Sequence, residues 1–576
     1  MNRKLKMPAF AFALAVGVAG CDLGVTNPND ADRERALASP GDVETLISSS
    51  YVSGYWEQAQ YFSGLGPVWE ISANHGSASW GNFGMDDAGY EPRRPLMNQS
   101  SYTYAYVFEQ PWADNYLGIS GATDGIRAIA GGLEIGAGGA DNARAVTFAT
   151  FVQALSHCSL ALQYDKAFLL DETVDIESDF ASVPYGDVMD YALAKMDEAI
   201  AMAQGGSFNL PDTWFNGRAM SSSEFVALMK GYKARCRANL PRDPAERGSV
   251  DWAAVSADAA AGLGDFLLEM EETGPWWSDI KYQGCGSEEG TWCRMHFDFA
   301  GQGDVSGNYQ AWLDIPTQQR TPTSVGLLSF PDQRWPQVQA DGEVGPFTSA
   351  IFPRGYYEFV STIVFRPERG TYKQSQWGSN HYEDYVDTAG AFGIVPEMLQ
   401  TEMDLLMAEA ALEMGDIPTT VSLVNQTRVN HGGLPAVVDG GTVPGGATDC
   451  VPKKRFDPTG TCGDLRDALQ WEHYTEIFQL SSGLTFFFTR RQGELPAGTA
   501  LHSPIPASEL EVLQEDIYTF GGNPGAPGSA GQPVLSVADR GGNDLDRVLR
   551  RVTRTLEVYD ERRAERLATK NVLRVR

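Results

Sequence analysis

Positive charge is scarce in this chain. Its 576 residues hold 44 Lys and Arg against 75 Asp and Glu, a net charge of −31. A surface of that sign repels phosphate backbones, so no nucleic-acid partner is expected. Long apolar runs are missing too: after Gly20 nothing approaches the roughly 18 consecutive apolar residues that a membrane-spanning helix needs. The chain has no GxSxG, no HExxH, no Gly-rich phosphate loop ending in Lys-Ser/Thr and no EF-hand loop, which removes the readable hydrolase, metalloprotease, nucleotide and calcium signatures. Histidines number seven and do not cluster, and no two cysteines form CxxC. The usual zinc layouts are therefore absent, and no metal, cofactor or catalytic residue is expected. His473 and Glu476 stand three apart on a predicted helix, a spacing that suits an interhelix polar pair better than a metal or acid/base site.

What is present begins with a basic start (Arg3, Lys4, Lys6) and an apolar run from Ala9 to Ala19, too short to span a bilayer. This is the layout of a secretory signal, and Val18-Ala19-Gly20-Cys21 places a cysteine where cleavage should fall. Residues 1–20 are read as a removed signal and Cys21 as the lipidated first residue, an anchor held by buried acyl chains. An exported chain favours disulfides, and six cysteines remain. Cys285 with Cys293 and Cys450 with Cys462 each close a small loop, and Cys158 with Cys236 can bridge two predicted helices.

The extended leader 21–38 is read as a tether. Ser39-Pro40 opens a helix with Val43, Leu46 and Ile47 on one face, running to about Trp56. Residues 60–110 show no sustained period and are read as loops with short helical pieces. Helical spacing returns at Ala145, Phe148, Val152, Leu155 and Leu162, then Met189 to Ala199, Phe225 to Cys236, and Trp252 through Phe266. Leu405 to Gly433 reads as a helical hairpin: Leu405, Ala408 and Leu412 share a face, Gly415 stops the first helix, and Asp416 caps the second with Pro418 in its first turn. A further helix is expected from Asp464 to about Leu480. These elements predict a mainly α fold, a tetratricopeptide-like array of about four helical hairpins with long irregular loops and few short strands, over a body 39–520 that contains an insert at 273–396. A Gly/Pro linker and a basic helix are expected at 521–576; ten basic residues against four acidic ones lie between Arg547 and Arg576.

The loops of this body are rich in aromatic rings. Sugars present C–H faces that stack on indole and phenol rings, and their hydroxyls need Asn, Asp, Gln or Arg partners. Ser79-Trp80-Gly81-Asn82 and Gly274-Pro275-Trp276-Trp277-Ser278-Asp279 offer both on turns. Trp80, Asn82, Trp276, Trp277, Trp292, Tyr309 and Trp312 are the candidate ligand residues; the alternative is that these rings fill small cores under long loops.

Three stretches resemble one family. Cys21-Asp22-Leu23 with Asn27-Pro28-Asn29 is similar to the mature start of the SusD/RagB-like outer-membrane lipoproteins, and Leu405 to Leu434 to their late helical hairpin. Trp471 to Leu510, with Glu472, Glu476, Gly483, Phe486, Phe487, Arg490, Arg491, Pro504-Ile505-Pro506 and Glu509, is similar to their C-terminal signature. Ser482, Thr485, Phe488 and His473 depart from that signature and bear on an internal ion-pair set. The resemblance implies an all-helical body of four hairpins with a loop-built ligand face and no catalysis. It also implies a lipid-anchored place on the outer membrane, facing outward, where oligosaccharide, or peptide, is captured for a TonB-dependent SusC-like barrel. A secreted glycan hydrolase, and a structural lid of the transporter with no ligand site, are the alternatives.

Overall fold

The computed structural model describes residues 37–535 apart from 61–63, 79–80, 176–180, 272–273, 283–284, 286–292, 336–354, 361–364, 380, 383–384, 388–391, 482 and 523–532. Cys21, the tether and the C-terminal basic segment lie outside the described residues.

The body is an array of paired helices: α1 (Pro40–Tyr51), α2 (Leu65–Ser72), α3 (Tyr106–Ala130), α4 (Asn142–Gln163), α5 (Tyr185–Gly205), α6 (Ser222–Asn239) and α7 (Trp252–Ala260). After the insert come α8 (Gln400–Glu413), α9 (Ile417–Asn430), α10 (Leu465–Ile477), α11 (Leu484–Gln492) and α12 (Ala507–Leu513). Each helix packs against the next, α3 on α4, α4 on α5, α5 on α6, α6 on α7, and α8 on α7, α9 and α10. The fold is mainly α, a hairpin array with few short strands, as the periodicity predicts.

Local chemistry sets the boundaries. Ser39 caps α1 by accepting from the Asp42 amide, with Pro40 in the first turn. Ser221 and Glu224 form a capping box on α6, and Asp464 and Asp467 another on α10, each satisfying amides that a helix start leaves open. Between α8 and α9, Gly415 takes a left-handed φ of 80° and Asp416 accepts from the Thr419 amide. All three expected disulfides are present: Cys158–Cys236 ties α4 to α6, and Cys285–Cys293 and Cys450–Cys462 close local loops.

Two elements differ from the periodic reading. The helix expected through Phe266 ends at Ala260, because Gly262 and Gly264 follow and Phe266–Met270 forms strand β1. It pairs antiparallel with β2 (Phe392–Met398) and so closes the base of the insert. No sustained signal marks α3, because glycine and Pro111 interrupt it. Those glycines serve contact rather than flexibility. A Cβ on Gly118 would lie 2.8 Å from the Cα of Gly54, and one on Gly125 would lie 2.3 Å from Ile47 Cγ1, so α3 meets the α1 segment nearly backbone to backbone.

Burial follows the same logic. Helix α4 is apolar and long enough to pass for a membrane span, but 94% of its apolar window is buried inside the body. The insert builds its own core of Phe297, Phe299, Trp312, Phe330, Trp335, Tyr357 and Trp377, set against Trp471, Tyr474, Phe478 and Phe488 around α10 and α11.

Candidate functional site

Two polar networks hold the body rigid beneath the loops. In one, Arg334 bonds Asp332, Glu472 and Glu476, each at 2.7 Å, and the Trp471 indole donates to Asp332 at 2.9 Å. All of these groups are buried. Burial would raise the Glu476 carboxyl, but His431 and Arg334 bring it down to about 2. In the other, Arg235 joins Glu397 and Glu402, also at 2.7 Å. Nearby, Arg491 grips Glu409 and Asn239, and Arg490 donates to the carbonyls of Pro241, Leu162, Asn239 and Leu501.

Glu472, Glu476, Arg490 and Arg491, the charged centre of the C-terminal signature, are therefore structural. The departures fit the same frame. Phe488 stacks on His473 at 4.1 Å, and Thr485 donates to Glu70. Burial, then the Arg491 charge, keeps His473 neutral, so His473 and Glu476 do not act as a pair.

The loop candidates divide. Tyr309 and Trp312 have 0% exposure: the Tyr309 hydroxyl bonds Asp298 at 3.1 Å, and Trp312 stacks on Phe297 at 4.5 Å. Trp276 is buried against Trp56 and Tyr51, with centroids 5.6 and 6.1 Å away. These three fill core rather than face solvent, which corrects the expectation for them; long loops of this chain carry satellite cores that demand large rings. Trp277 is half-buried, its indole donating to Asp279. Trp80 and Trp292 lie outside the described residues. Asn82 sits in the 3-10 turn Asn82–Gly84, its side chain outside the described set.

The partly open rings lie beside that turn. Tyr102, Tyr104 and Tyr106 occur at every second position and make edge-on contacts with centroids 5.6 and 6.2 Å apart. The Tyr102 hydroxyl donates to Asp87 at 2.6 Å. A Cβ on Gly81 would lie 3.4 Å from the Tyr104 hydroxyl, so the predicted turn rests on this ladder. Asp86, next to it, has its carboxyl raised by burial and by Asp87. On the same loop the exposed Arg94 lies over the Tyr90 ring, 3.2 Å from its centroid, a cation–π arrangement.

Residues 366–373 of the insert join from far along the chain. The Glu91 amide donates to the Gly370 carbonyl at 3.0 Å, and Lys373 bonds Glu91 at 3.0 Å. Met85, three residues after the first predicted turn, and Ile280, next to the second, line one small cavity.

The result is a loop-built face of half-buried rings, carboxylates and a stacked guanidinium, able to stack on a ligand and exchange hydrogen bonds with it. Among the described residues no cluster of His, Cys, Asp or Glu is arranged to hold a metal. The signal that marks this face is the alternating Tyr102-Thr103-Tyr104-Ala105-Tyr106; tryptophan content points instead into the core.

No protein-family model matches the sequence, and no curated protein matches it. Solved structures do. A SusD superfamily protein from Parabacteroides distasonis is 12% identical, with 82% of this chain and 97% of that chain covered at a TM-score of 0.50. A SusD-like carbohydrate binding protein from Bacteroides vulgatus is 11% identical, covering 89% of this chain and 96% of that one at a TM-score of 0.48. One from Bacteroides fragilis is 13% identical, covering 79% and 86% at 0.47. On the first of these, the chain has the fold of a SusD superfamily protein.

Proposed function

We propose that this chain is a cell-surface, lipid-anchored member of the SusD/RagB-like lipoproteins that binds an oligosaccharide and passes it to a TonB-dependent barrel, without catalysis. The observation that carries the reading is the half-buried tyrosine ladder beside the Arg94–Tyr90 stack, placed on loops of a SusD fold whose ion-paired interior is closed to ligand. Rings in this setting stack on sugar faces, while Asp86, Asp87 and Arg94 meet hydroxyls. Trp80, Asn82, Trp277 and Trp292 belong to the proposed face as well. Two of the solved structures it is similar to are SusD-like carbohydrate binding proteins, which supports glycan over peptide. Anchoring through Cys21 holds the site near its barrel and raises the effective concentration there, so modest affinity suffices.

The test is calorimetric titration of the soluble body, cleaved after Cys21, with a panel of defined oligosaccharides and peptides, followed by product analysis of the same mixtures. A glycan should bind intact, and Tyr90→Ala should weaken it about tenfold, the worth of one good stacking contact. Peptide binding without glycan binding, or shortened glycan in the mixture, overturns the reading.

A further inference from the structure

The cavity lined by Met85 and Ile280 has a volume of about 20 Å³ and is walled by Pro67, Ile71 and the Cys285–Cys293 disulfide. Its side-chain polar groups are Glu70 on α2, Gln479 and Ser481. Glu70 is 5% exposed. Its Oε2 is occupied, bonding His75 Nδ1 at 2.9 Å and accepting from the Thr485 hydroxyl. Its Oε1 has no hydrogen-bond partner among the described residues. Among the described residues no ion pair to Lys or Arg offsets this carboxyl. The titratable groups around it are His75 and Tyr357, with Arg455, His296 and His473 surrounding His75.

We propose that the cavity binds one water molecule on the Glu70 carboxyl, and that this hydrated, protonated carboxyl seals the seam between the helical body and the loop-built face. A water needs roughly 10–15 Å³ and two or more polar partners, and the cavity supplies the space, Oε1, Ser481 and Gln479. The donor count fixes the proton. The Thr489 hydroxyl gives its hydrogen to the Thr485 carbonyl and so takes the single N–H of neutral His75 at Nε2. Nδ1 then accepts from a proton on Glu70 Oε2, while Oε1 accepts from the water, which also meets Ser481 or Gln479. Ionised, Oε1 is a buried charge with no cation beside it. Burial pushes the Glu70 carboxyl up from 4.5 to about 8, Thr485 pulling slightly the other way. Burial, then the Arg455 charge, keeps His75 neutral, so the histidine does not compensate.

The seam has a direct reporter: Cys285 and Cys293 line the cavity and are 3% and 1% exposed, so opening the seam lays them open to a reductant. An open Glu70 returns to an ordinary carboxylate, so opening releases one proton. The rate of Cys285–Cys293 reduction by a phosphine, divided by that of Glu70→Gln, should therefore rise about tenfold per pH unit between the two pKa values and level off above about pH 8. A ratio that does not change with pH overturns the seal.

Two measurements test the ligand and the proton. A high-resolution crystal structure of the mature chain at pH 6 should show one ordered water on Glu70 Oε1, and a dry Oε1 overturns the water site. Infrared spectra should show a protonated-carboxyl band that Glu70→Gln removes and that titrates near pH 8; titration in the ordinary carboxylate range overturns the neutral acid. If Glu70→Gln does not fold, Thr485→Val serves instead: loss of that donor must move the band's midpoint upward, and an unmoved midpoint counts against the assignment.

Discussion

Phe297, Trp312, Trp335, Tyr357 and Trp377 of the insert are at most 3% exposed, whereas Tyr90, Tyr102, Tyr104 and Tyr106 stay half-buried. Both groups sit in Gly- and Pro-rich segments without helical period. What separates them is the layer that covers them. The insert rings stack on one another and on the α10–α11 surface, Trp335 lying 3.9 Å from Tyr357 and 6.0 Å from Trp471. Tyr102, Tyr104 and Tyr106 rest on a core of the helical body on their inner side, and the outer neighbours of the tyrosines are carboxylates and a guanidinium. A ring becomes core where a second layer of rings covers it, and becomes a contact surface where a turn leaves one side open.

The strongest way to break this contrast is to remove its buried side. Trp335→Ala should cost about 3–5 kcal/mol of stability, the range for truncating a fully buried large ring, measured by urea unfolding. Arg334→Ala should cost a similar amount, about 3–5 kcal/mol, because Asp332, Glu472 and Glu476 would be left buried without their cation. A folded Trp335→Ala protein with normal stability and lost glycan affinity would reverse the assignment of the two groups.

Glu70 gives an effect that depends on pH. Its folded pKa lies above its unfolded one, so its contribution is fully favourable below about 4.5 and declines as pH rises to about 8. The slope is about 1.4 kcal/mol per pH unit for one proton. Stability of wild type relative to Glu70→Gln should therefore fall over that window and be flat above it; a parallel pair of curves would contradict the raised carboxyl. Smallest in stability terms is Tyr104→Ala, expected to change folding by less than about 1 kcal/mol while weakening glycan binding about tenfold. That pairing of a stable protein with a lost ligand is what a surface ring should show and a core ring should not.

The body was largely legible from residue order. The helix starts at Ser39, Asp416 and Asp464, the stop at Gly415, and the two short-loop cysteine pairs each depend on local chemistry that spacing reveals, whereas Cys158–Cys236 joins helices 78 residues apart. Helix α3 was not, since its glycines read as breakers until the close approach of α1 gives them a reason. Phe266 continued a helical spacing by coincidence and became strand because β2, over a hundred residues later, supplies its partner. The aromatic candidates divide: the turn around Asn82 belongs to the proposed face, but Trp276, Tyr309 and Trp312 are drawn inward. Composition records how many rings a loop has, and only tertiary packing decides which are covered.

The crossing of α1 and α3 bears on mechanics. The first described helix of the body is α1, so tension applied from the N-terminal side enters the fold there. At Gly54, in the π-helical turn Val52–Trp56 that continues α1, and Gly118 on α3 the two segments touch through main chain, with almost no side chain between them to bend or change rotamer. A contact of that kind transmits force with little give. A protein held by its N-terminus against flow or a moving partner would thus be pulled as one rigid piece from α3 onward, and a bulky residue at Gly118 would turn that stiff joint into a compliant one, a difference that single-molecule pulling from the N-terminus can read.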